Sequence, residues 1–410
     1  MPRHLAGFGV VVVALLVISP MRLAAQGSAD PPDYSAGWEL RATSGGAWGG
    51  VVAGTPELGY VVLGTSRGGD GLHSVDGVSW EPIALPAGSG VSVVDLDASA
   101  KGFVAVARPN SVSAGTEYPP YIWYSPDGRT WDRIDPENLP LSTLTNGAVE
   151  QISASDQGFA VVVVDDCPAL VWFSENGREW SQSSIESGCW AIELAAVAGG
   201  WVALTGKREV TVFATVDGLV WTSVESPDNS ASPGANFATL PERLLAGRFA
   251  PRQSFVASGD TLVFSREGGV WTSTDGGHSW IETSFARGSQ VGPTFPMTST
   301  NLGFVGVAIH SGSSQGGMRP IALVSSTDGL NWTEQPTDLL LWDLAGAGDS
   351  VIAVELGGGV YTWTPPGSEL LAHTGTDPTV LALIGTCFVA LGGVLLAWRR
   401  RQAIMHPETG

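Results

Sequence analysis

The sequence predicts an all-β fold, a seven-bladed β-propeller, on three observations. A turn motif ending in tryptophan recurs six times, a β-rich signature falls between the copies, and the composition supplies turns and core without helix formers. The copies are Ser74-Val-Asp76-Gly77-Val-Ser-Trp80, Ser125-Pro-Asp127-Gly128-Arg-Thr-Trp131, Ser174-Glu-Asn176-Gly177-Arg-Glu-Trp180, Thr215-Val-Asp217-Gly218-Leu-Val-Trp221, Ser273-Thr-Asp275-Gly276-Gly277-His-Ser-Trp280 and Ser326-Thr-Asp328-Gly329-Leu-Asn-Trp332. Their tryptophans are 51, 49, 41, 59 and 52 residues apart, which is the self-similarity of a repeat architecture. Between them stand Gly59-Tyr60, Gly102-Phe103, Gly158-Phe159, Gly200-Trp201 and Gly303-Phe304, each followed by small apolar residues. Short β-rich runs bounded by turn residues read as strands, and each repeat of about 50 residues holds four of them, the content of one propeller blade.

Composition fits. Of 410 residues 43% are hydrophobic, with 16 Trp against 13 Phe, enough for a sizeable core, while 54 Gly and 26 Pro supply many turns. Long amphipathic stretches of Leu, Glu, Lys and Ala are absent, which excludes an all-helical fold. Twenty basic residues against 40 acidic give a net charge of −20, so a nucleic-acid partner is excluded on electrostatic grounds.

Blade counting gives seven. After Trp332 the chain offers three strands, near Leu341–Leu344, Ser350–Glu355 and Gly359–Trp363, and no fourth. The missing strand is Gly37-Trp38-Glu39-Leu40-Arg41, which would close the ring at the outer edge of the last blade and leave no open sheet. Eight blades need more residues than the repeats supply, and six would orphan the last three strands.

In the repeated motif, Asp-Gly favours a tight connection with a positive φ. The Asp carboxylate and the Ser hydroxyl can accept hydrogen bonds from loop amides, and the Trp packs back over the turn. These residues resemble the Asp box, or BNR repeat, of sialidases and many non-sialidase propellers. The resemblance covers most of residues 38–363 and assigns Asp76, Asp127, Asn176, Asp217, Asp275 and Asp328 to structural turns rather than to catalysis.

The two ends read as addresses. Arg3 and His4 precede an unbroken apolar run from Leu5 to Ile18, ended by Pro20 and followed by Leu23-Ala24-Ala25. The run is too short to span a bilayer comfortably, so residues 1–25 are expected to be a signal peptide, with a retained anchor helix as the alternative. At the other end come Leu371-Ala372-His373-Thr374-Gly375, then 19 mostly apolar residues from Val380 to Trp398, then Arg399, Arg400 and Arg401. Nineteen residues can cross the hydrocarbon core, and the arginines hold the end in the cytoplasm. The pentapeptide resembles the LPxTG sorting signal of Gram-positive surface proteins, in the LAxTG form associated with class E sortases of actinobacteria. The resemblance implies recognition of Leu371, Ala372, Thr374 and Gly375, cleavage between Thr374 and Gly375, and transfer of Thr374 to a cell-wall amine, with a plain membrane anchor as the alternative. The expected organisation is signal peptide 1–25, propeller 26–363, stalk and sorting motif 364–375, and membrane segment with basic tail 376–410. Residues 26–374 carry 15 basic and 38 acidic residues, a net of −23.

The search for chemistry is sparse. His73, His278 and His310 have no metal-ligand spacing to a Cys or to one another, so neither a metal nor a cofactor is expected. The G-x-S-x-G strings at Gly64–Gly68 and Gly312–Gly316 lack the strand-then-helix setting of a nucleophile elbow. A sialidase needs three arginines on a substrate carboxylate and a Tyr–Glu nucleophile. The family's early Arg-Ile-Pro signature is absent, and Arg67, Arg108, Arg319, Tyr118, Tyr121 and Glu150 are the residues from which such a site would be drawn. The second-to-third strand loops and the inter-blade loops share one face and are long at 108–121, 135–150, 226–254 and 285–301, which favours binding there. The expected function is a non-catalytic binding module for a carbohydrate or protein ligand, exported and displayed at the cell envelope. The alternatives are an exo-sialidase or related glycosidase, and an envelope complex assembly factor. Export also favours one disulfide between Cys167 and Cys189, the alternative being two free thiols.

Overall fold

The computed structural model describes residues 31–366, apart from connecting segments at 45–48, 65–69, 86–90, 110–120, 136–138, 140–147, 165–168, 186–192, 206–210, 225–254, 267–268, 284–293 and 311–318. The expected signal peptide, sorting motif, membrane segment and Cys167–Cys189 pair lie outside these residues. Among the described residues there are only strands and turns, and no helix is long and apolar enough to cross a membrane.

The strands form seven antiparallel four-stranded sheets. Blades 1 to 6 each take four consecutive strands, within 50–84, 91–133, 148–185, 193–223, 255–283 and 294–336. Blade 7 runs, from its inner to its outer edge, Leu341–Ala347, Ser350–Glu355, Gly359–Trp363 and then the N-terminal strand Glu39–Thr43. Ring closure by the N-terminal strand is therefore as the sequence predicts. Glu39 pairs with Thr362 and Thr43 with Gly359 in antiparallel register. Residues 32–38 secure that strand in a way the sequence did not announce. Tyr34 is buried with its ring 4.1 Å from that of Trp363, whose indole N–H donates to Ala36 O, and Gln335 of blade 6 clasps the segment at both Tyr34 N and Pro32 O.

Each blade is apolar on both faces, because successive side chains of a strand point to opposite sides and each side meets another blade. In the strand Phe159–Val164, Phe159, Val161 and Val163 pack toward blade 2, while Ala160 and Val162 pack toward blade 4. Seven such apolar clusters are found among the described residues, one at every blade-to-blade boundary including the boundary between blades 7 and 1.

The six repeated turns join the third strand of a blade to its fourth. In blade 1, Asp76 Oδ1 accepts from Val78 N and Ser79 N at 2.8 Å, while the Ser74 hydroxyl donates to that oxygen and accepts from Gly77 N. The Trp80 indole N–H closes the turn on Gly77 O. The connection spans six residues, 75–80, longer than a two-residue hairpin. Asn176 accepts the same set of bonds in blade 3, so the turn needs the oxygen and not the charge. In blade 4 the ring of Trp221 donates instead to Ser183 Oγ of blade 3.

The turn glycines also fit the blades together. A Cβ on Gly177 would lie 2.2 Å from the ring of Tyr124 in blade 2, and one on Gly218 would lie 2.3 Å from Phe173 in blade 3. The glycine is thus required twice, for its positive φ and for close approach of the preceding blade. Gly276 has φ +72 with no neighbour within 4 Å of a Cβ, against φ +74 at the crowded Gly177. Gly276→Ala should therefore cost only the backbone term, about 1 kcal/mol, and Gly177→Ala several times that by overpacking. Chemical denaturation of the two variants measures the difference, and equal losses would refute the packing role.

Candidate functional site

The ring encloses a central channel walled by the innermost strand of every blade. Its cavity is about 190 Å³ and its walls are mostly small residues, including Ala53, Gly54, Ser153, Ala196, Ala257 and Gly346. That is below the roughly 300 Å³ at which pockets for small organic ligands begin. Among the described residues no group of three or more His, Cys, Asp or Glu is placed to hold a metal ion.

An innermost strand leaves one row of backbone groups without a neighbouring strand. The structure answers these with side chains of the preceding blade. Asp95 of blade 2 accepts from Ile152 N of blade 3 at 2.9 Å, and Asp97 accepts from Ala154 N at 2.7 Å. Gln151 of blade 3 accepts from Leu194 N of blade 4 and donates to Leu194 O. Across the ring closure, Asp343 of blade 7 accepts from Val52 N of blade 1 at 3.0 Å. Each of Asp95, Gln151 and Asp343 follows a register shift in its strand, at Val93/Asp95, Val149/Gln151 and Leu341/Asp343. The bulge re-aims one side chain toward the neighbouring blade, a common use of that irregularity. Sequence reasoning missed these latches. Their signal is an acidic or amide residue before Leu or Ile inside an inner strand, as in Asp95-Leu96, Gln151-Ile152 and Asp343-Leu344.

The carboxylates fall into two electrostatic classes. Burial alone would raise Asp76, but the Ser79 and Val78 amides and the Ser74 hydroxyl outweigh it and hold the acid below its usual range. Asp127, Asp275 and Asp328 are held low in the same way, and at Asp217 the Val220 and Leu219 amides dominate. Asp97 goes the other way. It lines the channel deep in the ring, where loss of hydration pushes its pKa up to about 7 despite its bonds to Ala154 N and Ala98 N, and the negative Asp95 and Asp343 add to the rise.

Of the residues from which a sialidase site would be drawn, the described structure gives the side chain of Tyr121 and the backbone of Arg108, Arg319 and Glu150. Arg67 and Tyr118 fall outside the described residues. The backbone places Arg108 at the loop end of a blade 2 strand and Arg319 at the loop end of a blade 6 strand, with blades 7 and 1 between them on the shorter path. Glu150 sits at the inner-strand bulge of blade 3. Tyr121 is engaged by Arg133, whose guanidinium lies 4.0 Å over its ring. His73 is buried, accepts from Arg129 Nε on Nδ1 and faces Leu58 O with Nε2, a structural histidine whose burial lowers its pKa.

No family model matches the chain, and no curated protein matches it. Among solved structures it is similar to YCF48 bound to D1 peptide, at 14% identity and TM-score 0.53, covering 83% of this chain and 99% of that one. It is also similar to a virginiamycin B lyase from Staphylococcus aureus, at 10% identity and TM-score 0.54, covering 80% and 99%. At these identities the likeness establishes the seven-bladed fold and nothing finer.

The Asp97 shift sets a pH dependence with a definite sign. The folded chain holds this proton up to about pH 7, whereas an unfolded carboxyl releases it near 3.8, so Asp97 contributes stability below that range that is lost as pH rises toward 7. Because His73, with its lowered pKa, acts in the opposite sense, Asp97→Asn is the reference: between pH 4 and 7 the Tm of wild type should fall relative to that of the variant. A wild-type Tm that rises relative to the variant's over this interval would contradict the assignment.

Proposed function

We propose that the chain is a non-catalytic binding scaffold, exported and held at the cell envelope by its C-terminal segment, that offers the long-loop face of its propeller to an extracellular ligand. One observation carries the reading: the chain leaves the ring at the face opposite its long loops. Thr362, at the end of the last strand, donates to Gly77 O of the blade 1 turn and pairs with Glu39 at the start of the closing strand. Both ends of the ring therefore lie on the turn face. The connections between second and third strands and between blades all leave the other face, which an attachment through the C-terminus directs outward.

Several features support the finer reading. The six turns have the residue pattern and the hydrogen bonding expected of Asp boxes, and those bonds occupy Asp76, Asp127, Asn176, Asp217, Asp275 and Asp328 in holding the turns. The channel cavity is smaller than ligand pockets commonly are, which favours the loops as the place where a ligand is met. A propeller of the same fold is bound to a peptide in YCF48, so peptides are a ligand class to set beside carbohydrates. For the address, the order of LAxTG pentapeptide, apolar span and three arginines supports transfer of Thr374 to the wall by a class E sortase.

The reading is tested in an actinobacterial host that has such a sortase. Wild type should be released only by wall-digesting enzymes, and Thr374→Ala should become detergent-extractable. Wild type that extracts fully in detergent with residues 380–398 attached would establish the plain membrane anchor. Release of sialic acid from a fluorogenic sialoside by the purified chain, lost on Arg108→Ala or Arg319→Ala, would replace the binding scaffold with a glycosidase.

A further inference from the structure

One blade tip of this propeller gathers several exposed apolar side chains. Among the described residues seven large hydrophobic side chains are exposed, and Leu40, Val75, Val216, Leu219, Val220 and Ile281 lie at the turn-face ends of their blades. The seventh, Leu340, lies at the loop face, between the last strand of blade 6 and the first of blade 7, a face whose other connections fall mostly outside the described residues. Three of the six belong to one turn. In blade 4 the variable positions around Asp217 are all aliphatic, with Val216 73%, Leu219 43% and Val220 65% exposed. The corresponding positions are Pro, Arg and Thr in blade 2 and Glu, Arg and Glu in blade 3. The other turn at this end of blade 4, Val197-Ala-Gly-Gly200, is uncharged too, so Asp217 is the one charged residue of the tip, and its Oδ1 accepts from Leu219 N and Val220 N. A concentrated aliphatic tip on an otherwise acidic protein is a contact surface in want of an apolar partner.

We propose that this blade 4 tip seats on the lipid surface of the membrane that holds the C-terminal segment, so that the propeller rests turn face down. The proposal rests on the reading of residues 380–398 as a membrane segment, and concerns the chain while that segment is in place. Three observations select lipid over another occupant. The chain ends leave from the same face as the tip. Blade 4 stands across the ring from blade 7, three blades away in one direction and four in the other, so anchor and tip form two separated supports under one face. The segment between the last described residue and the apolar span, 367–379, is 13 residues, at most about 45 Å when extended, which keeps that face near the bilayer. Aliphatic side chains entering the headgroup–acyl boundary are what an interfacial contact requires, and the single carboxylate among them, Asp217, is already bonded to the Leu219 and Val220 amides.

The test uses the full chain in phosphatidylcholine–phosphatidylglycerol vesicles, carrying a bimane label at Val220→Cys or at Leu340→Cys, with wild type treated identically as the background from native cysteines. Acyl-chain-brominated lipid should quench about half of the emission at position 220 and leave position 340 unchanged, and adding Val216→Asp should remove the quenching. Chain that floats with the vesicles while neither label is quenched overturns the tip contact and leaves the membrane segment standing. Chain that does not float overturns the membrane segment and the contact with it. A label at 220 that is shielded equally without vesicles, with dimers in solution, overturns the proposal in favour of a second copy.

Discussion

Burial of every blade on both of its faces is the constraint on which this structure depends. A lone four-stranded sheet with apolar residues at successive positions has no face to give to water, and it is completed only by two neighbours. A row of such sheets would expose one apolar face at each end, and curling it into a closed ring removes both. Ring closure is therefore a condition of folding here. The sequence meets it by drawing the outer strand of blade 7 from the N-terminus, where Tyr34 and Trp363 stack and Gln335 clasps the incoming segment. The strand pairing Glu39 with Thr362 is held mainly by backbone bonds, and the apolar boundary it protects extends through Val354, Val360 and Ile352 into blade 1.

Two sets of polar interactions fix the angle between blades once the apolar faces have met. At the turn face, a side chain of one blade donates to the turn glycine carbonyl of the next, as Thr362 does to Gly77, Ser183 to Gly218 and Thr272 to Gly329. At the channel, carboxylates and amides on bulged inner strands accept the free amides of the next blade. Both sets act between neighbouring blades, the first at the 7–1, 3–4 and 5–6 boundaries and the second at 2–3, 3–4 and 7–1. Their electrostatic settings differ because their surroundings do: turn carboxylates such as Asp76 collect several amide and hydroxyl donors at the surface, whereas Asp97 has two donors and a poorly hydrated, negatively charged environment.

Much of the ring was legible in the sequence because each blade writes the same local chemistry. The tryptophan spacing, the Asp-Gly turns and the three unpaired strands after Trp332 lead to seven blades and to N-terminal closure. The strand limits at Ser350–Glu355 and Gly359–Trp363 agree with the pattern, and the inner strand runs on to Ala347, beyond Leu344. What the pattern did not reveal are interactions between blades. The second duty of Gly177 depends on where Tyr124 of another repeat comes to lie. The latch at Asp343 depends on a bulge and on an amide 291 residues away. The segment 32–38 has no counterpart in any repeat, so comparison of repeats passed over it.

The most direct measurement of the account is native-state hydrogen exchange on the strand Glu39–Thr43, compared with its neighbour Gly359–Trp363. If closure is a condition of folding, the paired amides of both strands should exchange only through global unfolding, with the same free energy as those of the inner strands. Exchange of the N-terminal strand at a much lower free energy, while the other blades stay protected, would mean that the ring stands without its closing strand.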